Sequence, residues 1–360
     1  MARIDSFLKL VTMQSASDLH MNAGMVPRIR YNGKLQPLNF RELTAQETRR
    51  FIYELLTPRM REEFEREQGL DFMYEIKGTA RFRANIYQQY KGIGSVFRVV
   101  PEQLPSADVL LLPQSLLNLT LHNNGLVLVT GPTGSGKTTT LAALVNEINK
   151  NMKKHIITIE DPIEFLHKPI NCVVTQRQVG THAESFASAL RSALREAPDV
   201  IVIGELRDIE TITLALSAAE TGILVFGTLH TNSAGRAISR IIDMVPESVQ
   251  EQTRSTLSIL LRGVIAQRLC LKANEESRIA VLEILQQNYA IANMIRENKL
   301  HQLDGYLQSA NFAETGMQSM DSCLLRYIKE GLIWLDDALT IADYPDQLRH
   351  VAKGIEDERE

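Results

Sequence analysis

The stretch that decides the reading is Gly131-Pro132-Thr133-Gly134-Ser135-Gly136-Lys137-Thr138, which has the form G-x-x-x-x-G-K-[ST]. It follows the apolar run Leu126 to Val129 and opens a helical pattern that continues through Asn151. Strand, glycine loop and helix in that order form a phosphate cradle. The glycines let successive backbone N–H groups turn inward on phosphate oxygens, Lys137 reaches the β- and γ-phosphates, and the Thr138 hydroxyl ligates Mg²⁺. Thr133, Gly134, Ser135, Gly136, Lys137, Thr138 and Thr139 are therefore the expected nucleotide-binding residues. Leu141, Leu144, Val145 and Ile148 recur at helical spacing behind the loop. An ordinary glycine turn does not require that apolar face.

Working outward, strands are expected near 126–130, 156–160, 199–204 and 223–229, separated by helices near 138–150, 185–196 and 208–220. Such a βαβ series predicts an α/β fold with a mostly parallel sheet and the phosphate loop at the carboxyl end of its first strand. From Val245 onward the pattern reads as mainly helical, apart from a strand at 278–285. Upstream, Pro101, Pro105 and Pro113 bracket a linker at 101–113, which divides a small α+β domain at 1–100 from the domain at 114–360. In the small domain, Ile29 to Leu38 alternates around Asn32-Gly33, a hairpin signal. Thr44 and Glu47 spell a capping box for a helix to Leu56, and strands are expected at 71–76 and 81–90.

Composition agrees with two buried cores, since 44% of the 360 residues are hydrophobic. No apolar run approaches the ~18–20 residues that span a bilayer. Arg3, Asp5 and Lys9 interrupt any secretory core, so the expectation is a soluble, cytoplasmic protein. Cys172, Cys270 and Cys323 are too dispersed for a disulfide framework, and four thiolates for a zinc site are not there. Lys and Arg number 39 against 43 Asp and Glu, a net charge of −4, which argues against a protein that coats nucleic acid.

Three polar clusters end apolar runs. Glu160, Asp161 and Glu164 follow the second strand, Glu205 follows Val200-Ile201-Val202-Ile203-Gly204, and His230 follows Gly227-Thr228-Leu229. Hydrolysis needs a carboxylate for the attacking water and another for the metal shell, and an imidazole can read the γ-phosphate. Each residue alone could simply cap the next helix or sit satisfied in a loop. Together, on successive strands of one phosphate-binding sheet, they point to catalysis.

These clusters carry a resemblance. The phosphate loop, the acidic box 159–165, the stretches 188–208 and 218–231, and Ser17-Asp18-Leu19-His20 make the chain similar to the secretion-type traffic ATPases, from about residue 5 to about residue 345. Within them it resembles most the retraction ATPases of type IV pili, the PilT type. The resemblance implies a PAS-like N-terminal domain, a RecA-like ATPase domain with a helical C-terminal region, and a homohexameric ring. It implies Glu164 as catalytic base, Glu205 as the Walker-B acid that holds Mg²⁺ together with Thr138, partly through water, and His230 as a sensor. Arg81, Arg83 and Arg98 match positions from which this family reaches the neighbouring subunit's nucleotide, although alternating arginines also suit a solvated strand face. Arg191 and Arg195, one helical turn apart, are further candidates for phosphate or interface contacts. ATP and Mg²⁺ are the implied ligands. The inner-membrane platform protein of the pilus is the implied partner, with docking at the cytoplasmic face through that protein alone. A second retraction ATPase is a further candidate partner.

One departure stands out. The family's retraction motif reads AIRNLIRE, and this chain has Ala290-Ile291-Ala292-Asn293-Met294-Ile295-Arg296-Glu297, with Ala292 in place of an arginine. Accessory retraction ATPases diverge at the same motif, and the segments 174–180 and 336–354 are similar to that accessory type. An ATP-binding ring that depends on a partner ATPase is therefore the alternative. Assembly and type II secretion ATPases usually carry a tetracysteine element that this sequence lacks. Neither Asn149-Lys150 nor Asn298-Lys299 continues to the aspartate of a guanine-reading box, so ATP is expected over GTP. A P-loop kinase would instead yield a phosphorylated acceptor.

Overall fold

The computed structural model describes residues 2–31, 34–100, 104, 106–274 and 277–357. The chain divides into two units, Met1–Gln103 with Pro162–Leu166, and Leu104–Asp161 with His167–Glu360. The first unit therefore includes the last four residues of the acidic box, Pro162 to Phe165, and Leu166.

In the first unit, period-2 alternation builds an antiparallel sheet of six strands: β1 (Asp18–Asn22), β2 (Arg28–Tyr31), β3 (Lys34–Pro37), β4 (Gly69–Ile76), β5 (Ala80–Gln89) and β6 (Gly92–Val100), in the order β3-β2-β1-β6-β5-β4. In β5, Ala80, Phe82, Ala84 and Ile86 are buried. Arg81 and Arg83 therefore point to the opposite face. Tyr31 pairs with Lys34, leaving two residues for the hairpin turn, whose Asn32-Gly33 lies outside the described residues. The capping box is present in both directions, with Thr44 Oγ1 accepting from the Glu47 N–H at 3.2 Å and Glu47 Oε2 accepting from the Thr44 N–H at 3.0 Å. The helix it opens, Ala45–Tyr53, stops three residues short of the expected Leu56.

The second unit holds a seven-stranded sheet: β7 (Gly125–Thr130), β8 (His155–Glu160), β9 (Val173–Gln178), β10 (Val200–Ile203), β11 (Leu224–Leu229), β12 (Leu261–Leu271) and β13 (Arg278–Gln286), in the order β13-β12-β7-β11-β10-β8-β9. All neighbours are parallel except β12 and β13. Every residue of β7, β10 and β11 is buried, as continuous apolar runs require when helices cover both sheet faces. The crossovers are the helices Lys137–Asn151, Phe186–Ala193 and Ile209–Glu220. Two strands of this sheet depart from the sequence reading, as β1 and β6 do in the first unit. β9 was not anticipated, and β12 occupies eleven residues inside the region read as helical. The helix Glu247–Leu260 runs straight into β12 at an extended Leu261, so no turn residue marks the change.

Registers align the strand ends. Thr130 pairs with Leu229, and Ile203 pairs with both Gly227 and Ile159. The residues following β7, β10 and β11 therefore share one edge of the sheet. Among the described residues no helix is long and apolar enough to cross a membrane.

Candidate active site at the phosphate loop

Gly131, Gly134 and Gly136 all have positive φ, at 148°, 81° and 88°. The last of these forms the N-cap of the helix Lys137–Asn151, which has no side-chain cap. That helix start leaves orphan N–H groups at the positive end of the macrodipole, where an anion binds. Lys137 lies over the loop, its Nζ donating to the carbonyls of Gly131 at 2.7 Å and Pro132 at 3.1 Å. Burial pushes its ammonium below the ordinary lysine range, partly offset by the Glu205 carboxylate. Thr138, in the first helical turn, is exposed, and Ser135 Oγ is buried with no partner. A loop with three positive-φ glycines, an orphaned hydroxyl and a buried ammonium fits a nucleoside triphosphate with its magnesium. A cavity of about 290 Å³ adjoins this helix start, lined by Gly136, Thr139 and Thr140 and by the apolar side chains of Leu110, Leu269 and Ile279.

The sheet edge brings two of the sequence-predicted clusters to the lysine. His230 Nδ1 is 3.4 Å from Lys137 Nζ, and His230 Nε2 is 3.4 Å from Glu205 Oε1. An ammonium can only donate, so Nδ1 is the acceptor and the proton belongs on Nε2, facing the carboxylate. Arg207 Nε donates to the other Glu205 oxygen at 2.6 Å. Lys137, His230 and Glu205 are thus linked in one polar chain beside the phosphate loop.

Thr130, which sequence reasoning missed, fixes this edge. Its Oγ1 contacts the Thr231 carbonyl at 2.6 Å and accepts from the Thr231 N–H at 2.9 Å, tying the end of β7 to the residue after His230. Gln267 on β12 was missed as well. Both are polar residues inside or ending buried apolar runs, and that placement was their only signal.

Glu164 lies in the first unit's inserted segment. Arg81 donates to the carbonyls of Ile163 at 3.1 Å and Glu164 at 3.2 Å, while Arg83 Nη1 is 3.5 Å from Glu164 Oε1 and Arg83 Nε is 4.0 Å from Asp71. Within the chain, two of the arginines expected to reach a neighbour contact the segment that carries the expected base. Arg98, the register partner of Arg83 in the β5–β6 ladder, makes a different contact, bonding the buried Asp18 at 2.8 Å across the β1–β6 ladder, with Arg30 on the other oxygen at 3.4 Å. Burial opposes ionisation of Asp18, but hydrogen bonds from Ser17 and Arg98 outweigh it and hold the carboxyl below its usual range. Glu160 accepts from Thr158 and Gln176 and so braces β8 on β9. Arg191 pairs with Glu210, as a surface residue would.

A RecA-like parallel sheet with a phosphate loop, a buried lysine and an acid at the same edge defines a P-loop ATPase. A family model described as type II/IV secretion system protein matches residues 2–321. Over 95% of this chain and 99% of the relative, the sequence is 43% identical to the type IV pilus retraction ATPase PilT of Pseudomonas aeruginosa. It is 37% identical to the type IV pilus ATPase PilU of the same organism, over 97% of this chain and 91% of the relative. The crystal structure of the pilus retraction motor PilT with bound ADP matches with a TM-score of 0.88 at 43% identity, covering 97% of this chain and 100% of that one. The chain belongs to the type II/IV secretion system protein family, as an ATPase of the PilT type.

Proposed function

We propose that this ATPase is the principal motor of type IV pilus retraction, a homohexameric ring at the cytoplasmic face of the inner membrane that hydrolyses Mg-ATP and turns the pilus platform protein. The convergence of Lys137, His230 and Glu205 at the phosphate loop carries the reading. Thr133 to Thr139 offer backbone N–H groups to the phosphates, and Lys137 exchanges the carbonyls of Gly131 and Pro132 for β- and γ-oxygens. The cavity beside Thr139 and Leu269 suits the base and ribose. Mg²⁺, held by Thr138 Oγ1 and through water by Glu205, would supply positive charge over the β- and γ-oxygens. His230, held between ammonium and carboxylate, responds to the γ-phosphate when Lys137 changes partner. Glu164 accepts the proton of the attacking water, and Arg81 and Arg83 keep its segment in place. A cation supplied by an adjacent subunit is worth about 10³–10⁵ in rate in such sites, with Arg81, Arg83 and Arg98 as its candidates. Opening and closing of clefts between subunits would pass the work to the platform protein.

The second reading is an accessory ring driven by a partner retraction ATPase. Ala292 favours it, because this position lies on the buried face of the helix Tyr289–Arg296 and presents no charge. Steady-state phosphate release with Mg-ATP decides, measured on the parent, Lys137→Ala and Glu164→Gln with assembly state checked on the same samples. Turnover in the parent that is lost in Glu164→Gln while nucleotide binding persists supports the motor. An assembled, ATP-bound parent without turnover overturns the principal role in favour of the accessory one.

A further inference from the structure

We infer that Gln267 is the positioning residue that sets the shape of the phosphate loop, and hence nucleotide affinity. The inference rests on the reading of that loop as the nucleotide site. Gln267 lies on β12, one residue beyond Ala266, which pairs with Thr130 at the end of β7. It therefore stands at the level where the chain leaves the sheet to form the loop, and it is only 2% exposed. Its amide is used at both ends. Nε2 donates to the Ser135 carbonyl at 2.7 Å, and Oε1 accepts from Thr140 Oγ1 at 2.7 Å. The loop is also pressed against this residue. A Cβ on Gly131 would lie 2.3 Å from the Gln267 carbonyl oxygen, and one on Gly136 would lie 2.8 Å from Nε2.

One residue thus touches the loop at its first glycine, near its apex and in the first helical turn. With the Ser135 carbonyl drawn down onto Gln267, the N–H of the same trans peptide unit, on Gly136, points the opposite way, toward the side where phosphate oxygens bind. Neither Asn nor Glu can substitute. Asparagine is one methylene too short to span both partners, and glutamate would set a carboxylate oxygen against the Ser135 carbonyl. Protonated glutamate, by contrast, has the same donor and acceptor pattern as glutamine.

That chemistry gives a test which general loss of packing would not satisfy. Mg-ADP affinity is titrated between about pH 5.5 and 8.5 for the parent, Gln267→Glu, Gln267→Met and Thr140→Val, with melting midpoints recorded without nucleotide. Gln267→Glu is expected to bind about tenfold more weakly than the parent at high pH, and the ratio should close as pH falls and the carboxyl takes up the proton it needs. Gln267→Met, which fills the space without either bond, should show a loss that stays level with pH. Thr140→Val removes one bond only and should lose less, which keeps the test informative should the position 267 variants fail to fold. Variants that lower the nucleotide-free midpoint but bind Mg-ADP as the parent does at every pH would overturn the inference and leave Gln267 a core residue. A parent that does not bind Mg-ADP at all would instead sink the nucleotide-site reading itself.

Discussion

At the scale of single residues, the ionisable groups that follow the apolar strands could be read from the sequence, and the uncharged polar groups within or ending those strands could not. Lys137, Glu205 and His230 were legible because buried β7, β10 and β11 deliver them to one edge, and two contacts of 3.4 Å join them there. Thr130 and Gln267 were not legible. A hydroxyl or amide inside an apolar run looks the same in sequence whether it is a brace or a tolerated polar residue, and only the fold shows what it touches. Thr130 gives the sharper prediction. Thr130→Val is nearly isosteric but leaves the N–H and C=O of Thr231 without their buried partner, at a cost of about 1–2 kcal/mol. Because Thr231 follows His230, turnover should fall by more than nucleotide affinity does. Urea unfolding together with kcat and KM for ATP checks both parts, and a variant with unchanged stability and turnover would contradict the bracing role.

At the scale of elements, the parallel core was readable, because fully buried strands separated by amphipathic helices leave a βαβ trace. β12 was not, since a mostly apolar segment broken by Arg262, Gln267 and Arg268, and following a helix without a turn, satisfies helix and strand patterns alike. β9 is exposed at Val173 and half-buried from there on, with no alternation. Helix starts were better marked. Asp208 caps the helix Ile209–Glu220, accepting from the Thr211 N–H at 2.8 Å and its hydroxyl at 3.1 Å, just after Glu205. Asp208→Ala should cost ~1 kcal/mol. For a unit of this size that lowers the melting midpoint by roughly 2–4 °C, measurable by calorimetry.

A pH effect belongs to the same scale, where β13 meets the start of the helix Ala234–Asp243. Glu283 is 4% exposed and accepts from the Ala234 N–H at 2.6 Å. Burial pushes its carboxyl from 4.5 up to about 7; the Ala234 N–H and Arg268 oppose this, and Asp343 and Asp304 add to it. An acid that holds its proton more tightly in the folded chain contributes stability that is complete below about pH 4.5 and lost as pH rises through about 7. Glu283→Gln keeps an acceptor for Ala234 and cannot ionise. Relative to the parent it should gain stability across that window, on the order of 3 kcal/mol above it. Unfolding at about pH 5 and about pH 8.5 measures the gain, and parallel curves for the two proteins would refute it.

At the scale of the whole molecule, the acidic box is where sequence order and structural membership part. Glu164 is numbered within the ATPase region, yet it clusters with the first unit, where Arg81 binds two carbonyls of its segment and Arg83 faces its carboxylate. Sequence spacing could not show this, because the arginines and the glutamate are more than eighty positions apart. The consequence is testable by mixing two variants. If Arg81 acts on Glu164 of its own chain, Arg81→Ala and Glu164→Gln disable the same site, and a mixture of the two variants should release no more phosphate than either alone. If Arg81 instead serves the nucleotide of a neighbour, a site with Glu164 from one chain and Arg81 from the next is whole, and mixing should restore a fraction of parental turnover. The contacts within the chain favour the first outcome, with nucleotide binding kept in both variants. Recovery on mixing would move Arg81 from holding the Glu164 segment of its own chain to completing an adjacent site, and would make assembly a condition of the chemistry.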